Sequence, residues 1–141
     1  MTSPVFLLFG AHGDLATRML WPSLFRLHCD KSLPNQMVVY GLGRSGTTNE
    51  LREQLHQSLA DEVNDSNRVQ FEQFLEKTAF IKLEAGQELD YQALAKYLAE
   101  KSQHVALAYL SMPPDLFAPI VENLHHAELI NPDTRIILEK P

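Results

Sequence analysis

Gly10-Ala11-His12-Gly13-Asp14-Leu15-Ala16 follows an apolar run, Val5 to Phe9, and leads into helix-like sequence. A buried strand, a glycine turn and a helix start can together hold a phosphate. The turn brings backbone N–H groups close to an anion, and the helix N-terminus adds partial positive charge. Glycine suits such a turn because a side chain would keep the phosphate away or forbid the φ it needs. Leu8 stands where a full G-x-G-x-x-G loop has its first glycine, and no Gly-Lys-Ser/Thr follows, so this is neither the complete dinucleotide fingerprint nor a P-loop. Read alone, the stretch fits a phosphate cradle and a plain strand-to-helix turn equally well.

Arg44 carries a second signal. An NAD site usually places Asp or Glu at the end of its second strand, on the ribose 2′-OH. From Gly41 to Gly46 there is no acid, and Gly43-Arg44-Ser45 stands there instead. A guanidinium can grip a 2′-phosphate and stack on adenine, and a serine hydroxyl can add a hydrogen bond. The alternative is a solvated surface arginine. Arg18, within two turns of the loop, can face phosphates or solvent. His12 sits inside the turn, where its backbone N–H is a better phosphate ligand than its imidazole. Glu84 and Ala85 stand where adenine contacts or an ordinary loop would be. Met112-Pro113-Pro114 forms a stiff loop, its two prolines lacking N–H donors. That loop can wall a nicotinamide ribose, or simply turn into a helix capped by Asp115. Lys140, judged by position alone, reads as a surface charge.

Alternating elements must position these residues. Residues 5–9 read as a strand, apolar throughout as when both sheet faces are covered. Asp14 to Cys29 has helical spacing, with Leu20, Leu24 and Leu27 on one face and a kink or restart at Pro22. Met37 to Gly41 is the second strand. Thr47-x-x-Glu50 is a capping box opening a helix with Leu51, Leu55 and Leu59 inward. Asn64 to Asn67 breaks the pattern, and a short helix follows from Val69 to Leu75. Ala79 to Leu83, Val105 to Leu110 and Arg135 to Leu138 are the later strands. Helices marked by Tyr91, Leu94 and Leu98, and by Phe117, Ile120, Val121 and Leu124, separate them. Strands parted by helices predict right-handed parallel crossovers. The result is an α/β, doubly wound, mostly parallel Rossmann-type sheet of order 3-2-1-4-5. Ligands of such sheets lie beyond the carboxyl ends of the strands, at the switch point. Gly10 to Gly13, Arg44, Glu84 and Ala85, Met112 to Pro114, and Glu139 with Lys140 fall there, after the first to fifth strands in turn.

Composition agrees with one domain spanning residues 1–141, 45% apolar and 21% charged. A formal charge of −6 gives no basic field for nucleic acid or an anionic membrane, so a phosphorylated ligand must be held locally. Cys29 is the only cysteine, which excludes an internal disulfide and is compatible with a cytoplasmic setting. Residues 5–9 are too short for a signal core, and no apolar run approaches the ~20 residues of a membrane span. His28, His56, His104, His125 and His126 read as structural or solvated, and no cluster has metal-ligand spacing.

Taken together, four segments resemble the amino-terminal coenzyme-binding domain of glucose-6-phosphate dehydrogenases, of bacterial type. They are Gly10 to Ala16 with Leu20-Trp21-Pro22, Gly41-Leu42-Gly43-Arg44-Ser45, Tyr109 to Pro114, and Ile136-Ile137-Leu138-Glu139-Lys140-Pro141. The resemblance implies NADP as coenzyme and glucose 6-phosphate as substrate, oxidised to 6-phosphogluconolactone in the oxidative pentose phosphate pathway. It implies coenzyme contacts from Gly10, Ala11, His12, Gly13, Asp14, Leu15, Arg44, Ser45, Glu84, Ala85, Met112 and Pro113. It gives Lys140 a part in catalysis and in holding both substrate and coenzyme. The family usually has a basic residue where Met19 stands, and often a tyrosine at Phe117. Its catalytic histidine follows the E-K-P motif, as do its second domain and the interface of a homo-oligomer. These 141 residues would then bind coenzyme without catalysing alone. A stand-alone nucleotide-binding or regulatory module is the competing reading.

Overall fold

A computed structural model describes residues 2–34 and 36–139. Five parallel strands form one sheet: β1 (Ser3–Phe9), β2 (Val38–Gly43), β3 (Thr78–Lys82), β4 (Gln103–Leu110) and β5 (Arg135–Leu138). Their order is β3-β2-β1-β4-β5, as predicted. β1 is central because its side chains are apolar on both faces. Val5, Leu7 and Phe9 pack to one side, and Phe6 and Leu8 to the other.

Helices cover the faces as right-handed crossovers require. On one face lie α1 (Trp21–Cys29), α2 (Thr48–Ser58) and α3 (Arg68–Glu76). They bury Trp21, Phe25, Leu51, Leu55, Phe71 and Phe74 against Phe6 and Leu8. On the other, α4 (Glu88–Glu100) and α5 (Phe117–His126) bury Tyr91, Leu94, Leu98, Ile120 and Leu124. The predicted capping box forms at α2. Thr47 Oγ1 accepts the Glu50 N–H at 3.1 Å and donates to Glu50 Oε1 at 3.2 Å.

The helix after β1 restarts at Pro22, as predicted, but presents a different inward face. Ala16–Leu20 is a single π turn, closed by the Trp21 N–H on Ala16 O, and α1 restarts from it with Pro22 in its first turn. Pro22 has no N–H for the carbonyl four residues back and its ring would clash there, so the wider turn relieves both problems. The inward face of α1 is Trp21, Leu24 and Phe25, not Leu20, Leu24 and Leu27. Leu20 and Leu27 instead border an apolar cleft of about 390 Å³, together with Leu24, Leu8, Leu107 and Ile137. The cleft stays open because no described helix crosses β4 and β5 on that face.

β2 is pinned to the turn after β1 by a missing side chain. A Cβ on Gly41 would lie 2.7 Å from Ala11 Cβ and 3.2 Å from Leu51 Cδ2. Gly41→Ala should therefore destabilise by about 1–3 kcal/mol, the cost of overpacking a filled core. Urea denaturation of the two proteins side by side measures it, and equal midpoints would refute the tight contact.

Candidate functional site

The turn after β1 is held from three directions. Gly10 has φ +80°, and a Cβ there would lie 2.1 Å from Ser111 O, just beyond β4. The Gly10 and Ala11 N–H groups donate to Leu42 O at 3.1 and 3.3 Å, tying the turn to β2. Trp21 Nε1 donates to Ala11 O at 3.0 Å in a buried contact. Ala11 is fully buried, so its methyl packs the turn against the core. The Gly13 N–H closes the turn on Gly10 O at 3.0 Å. The first turn of a helix leaves its N–H groups without intrahelical partners, and here that turn begins at Asp14.

The other strand ends meet this turn. One cleft of about 490 Å³ is lined by Gly10, Gly43, Arg44, Glu84, Ala85 and Met112 among others. A second, of about 270 Å³, is lined by Gly13, Asp14, Leu15, Ser111, Met112, Pro113, Pro114 and Glu139. Met112 and Pro113 border both, so the two clefts flank the β4 loop with the glycine turn between them. Two compartments joined over a glycine turn match the outline of a dinucleotide whose halves are linked by a pyrophosphate.

Several side chains refine the sequence reading. Arg18 pairs with Asp14 at 2.6 Å on an exposed surface, which takes it to solvent and to the Asp14 carboxylate. Met19 is 57% exposed and apolar where the resemblance implies a basic group. Asp115 lies in a 3₁₀ turn, Pro114–Leu116, and makes no cap to α5. Arg44 and Ser45 are exposed. His12 is engaged through its ring, which the backbone-only reading did not foresee. Its Nδ1 lies 2.6 Å from Gln54 Oε1, and its ring is tilted over Phe80 at 4.8 Å. Lys140 lies outside the described residues.

Three positioning groups had no sequence signal, because each depends on chain segments meeting in space. Asp90 Oδ2 accepts the Glu84 N–H at 2.8 Å, and the Tyr91 hydroxyl donates to Ala85 O at 2.8 Å. Together they shape the loop after β3. Burial pushes the Tyr91 phenol far above its ordinary range, so it remains a donor. The Tyr109 hydroxyl donates to Glu139 Oε2, across the floor between β4 and β5. Burial, and then the Glu139 carboxylate, push this phenol up to about 12.

A family model described as the NAD binding domain of glucose-6-phosphate dehydrogenase matches residues 7–141. The chain belongs to the glucose-6-phosphate dehydrogenase family. A chloroplastic glucose-6-phosphate 1-dehydrogenase of Arabidopsis thaliana is 34% identical over 94% of the chain and 24% of its own length. A glucose-6-phosphate 1-dehydrogenase of Gluconobacter oxydans is 31% identical over 96% of the chain and 29% of its own. A solved glucose-6-phosphate dehydrogenase in complex with glucose 6-phosphate superposes with a TM-score of 0.87 at 25% identity, over 99% of the chain and 31% of its own. The chain thus spans about a quarter to a third of these relatives. They come from plants as well as bacteria, and do not single out a bacterial type. The family's domain takes a nicotinamide dinucleotide. Among the described residues, no helix is long and apolar enough to cross a membrane.

In this glucose-6-phosphate dehydrogenase domain, Tyr109 and Glu139 tie the last strand to its neighbour. The fold favours the neutral phenol, so the contribution is complete below about pH 10, the ordinary phenol range. It fades as pH rises through about 12. Tyr109→Phe should lower stability by about 1 kcal/mol at neutral pH, the typical worth of one hydrogen bond. It should also delete one phenol ionising near pH 12 from an ultraviolet titration. If the phenol lost ionises at about pH 10 instead, Tyr109 is neither buried nor held by Glu139 in this way.

Proposed function

We propose that this chain is the NADP-binding part of a cytoplasmic glucose-6-phosphate dehydrogenase. The observation that carries the NADP reading is the end of β2, where Arg44 and Ser45 stand in place of an acid beside the larger cleft. The adenosine half then occupies that cleft, between Arg44 and the Glu84–Ala85 loop. The pyrophosphate lies over Gly10 to Leu15, using N–H groups of the turn and the helix start. The nicotinamide half lies in the smaller cleft against Met112 and Pro113. Bound there, the nicotinamide supplies the hydride acceptor.

Lys140 follows the Tyr109–Glu139 contact directly in sequence. We assign it to the meeting point of coenzyme and glucose 6-phosphate, where it orients the two. Oxidation of the sugar hydroxyl also needs a base to take its proton. The resemblance puts that base, the rest of the sugar phosphate pocket and the homo-oligomer interface after the E-K-P segment. These 141 residues alone should bind coenzyme and form no NADPH from glucose 6-phosphate.

Calorimetry on the chain tests the coenzyme assignment. Arg44→Ala should cost about 1.5–3 kcal/mol of NADP binding, the range for charge-assisted hydrogen bonds, and leave NAD binding nearly unchanged. Equal losses for both would refute it. Gly13→Val places a Cβ that would lie 3.2 Å from Gly10 O, with two methyls beyond it, over the pyrophosphate position. It should abolish binding of both dinucleotides, and normal binding would put the phosphate site elsewhere.

A further inference from the structure

We infer that the cleft between the end of α1 and α3 binds a small hydroxylated phosphate ester, its phosphate on Lys31 and Lys77 and a hydroxyl on His28 and Gln70. This cleft, of about 600 Å³, is larger than either cleft at the glycine turn and shares no lining residue with them. It lies at the opposite end of the sheet. α1 begins with Trp21, bonded to the glycine turn, and ends with Cys29, at the cleft. Lys77 directly precedes β3, whose far end leads into the Glu84–Ala85 loop. A ligand here and a dinucleotide in the other clefts would not meet.

Charge sets this cleft apart. The chain carries a formal −6, yet among the described residues the permanently charged side chains lining the cleft are both lysines. Burial, then Asp30 and Glu62, push the neighbouring Cys29 thiol up. Neither carboxylate lines the cleft, and Glu62 is held by Arg26 at 3.4 Å. An ammonium is a compact charge with three donors, suited to phosphate oxygens. Lys31 is exposed, on a backbone with φ +59°. Its N–H meets His28 O at 3.1 Å and the Ser32 N–H meets Leu27 O at 2.9 Å, so the last carbonyls of α1 are occupied. Acceptors complete the lining. His28 Nε2 and Gln70 Oε1 are shut off from water and have no hydrogen-bond partner among the described residues. Burial, and then the Lys77 ammonium, hold His28 below the ordinary histidine range, while a hydrogen bond to the Gln70 backbone works the other way. The ring is therefore neutral at neutral pH. Nδ1 carries its hydrogen toward that backbone, which leaves Nε2 an acceptor. A carboxamide oxygen also only accepts. Neither atom can hold an ionised phosphate oxygen, and both need a donor such as a hydroxyl. Leaving an enclosed acceptor unpaired is unfavourable, and a ligand hydroxyl reaching it removes that penalty.

Titration of the intact chain with glycerol 3-phosphate, inorganic phosphate and glycerol, followed by NMR at each backbone amide, tests this. Glycerol 3-phosphate should move the amides of Lys31, Gln70 and Lys77 saturably, with a Kd of about 1 mM or below. Sodium chloride at matched ionic strength should not move them. Inorganic phosphate should bind there about threefold more weakly, the difference of one hydrogen bond, and glycerol should not bind. Lys31→Asn, whose side chain tolerates the left-handed backbone, should weaken both phosphates about threefold to fivefold, the worth of a partly exposed ion pair. Lys77→Gln, on the other wall, is a second charge-removing variant and should do the same. Gln70→Leu should bring glycerol 3-phosphate down to the level of inorganic phosphate and leave the latter unchanged. The same spectra report whether each variant is folded. Shifts confined to Gly10 to Leu15, shifts that never saturate or that sodium chloride reproduces, unchanged binding in both lysine variants, or equal binding of the two phosphates would overturn the inference.

Discussion

The site depends on one absent atom. Gly10 must lie so close to Ser111 that a Cβ would sit 2.1 Å from its carbonyl oxygen, on a backbone with φ +80°. No other residue meets both demands, since the left-handed region and the steric gap each exclude a side chain. This contact lets the turn after β1 fold back beside the end of β4. The two clefts flank the β4 loop as a consequence. A second absent side chain, at Gly41, lets Ala11 sink into the core and hold the turn from below. Trp21 completes the clamp through Ala11 O. The turn is therefore rigid before any ligand arrives, which spares a bound dinucleotide the cost of ordering it.

Around that turn the fold divides its labour. The helices on one face, with Trp21, Phe25 and Phe74 at their centre, brace the phosphate side. Those on the other face bring Asp90 and Tyr91 under the loop after β3. The strand ends supply short loops, each adding one or two exposed groups to a trough that the core itself does not enter. Net negative charge is no obstacle to such a site. The positive groups, Arg44 and the N–H groups at the helix start, act within a few ångströms, inside the Debye length.

Much of this was legible from residue types in order. Alternation of apolar strands with helical spacing was enough for the sheet order, because right-handed crossovers leave few other ways to join the strands. The convergence of Gly10, Arg44, Glu84 and Met112 followed from topology, since all stand at carboxyl ends of strands. What was not legible depends on contacts between distant segments. Leu20 and Leu27 have the spacing of a buried face, yet a π turn and an uncovered stretch of sheet leave them beside an open cleft. Gln54 looks like any polar residue on a helix until α2 docks beside the turn and meets His12. The Tyr109–Glu139 bond likewise needs β4 and β5 to be paired first. Periodicity reports which face is apolar, not whether something covers it.

In the proposed reading, the glycine turn and the end of β2 together seat an NADP molecule in one orientation. A crystal structure of the chain with NADP tests this most directly. The pyrophosphate should lie over Gly10 to Leu15, the 2′-phosphate at Arg44 and Ser45, and the nicotinamide beside Met112 and Pro113. A dinucleotide lying in the reverse direction, or bound in the apolar cleft beside Leu20 and Leu27, would contradict it.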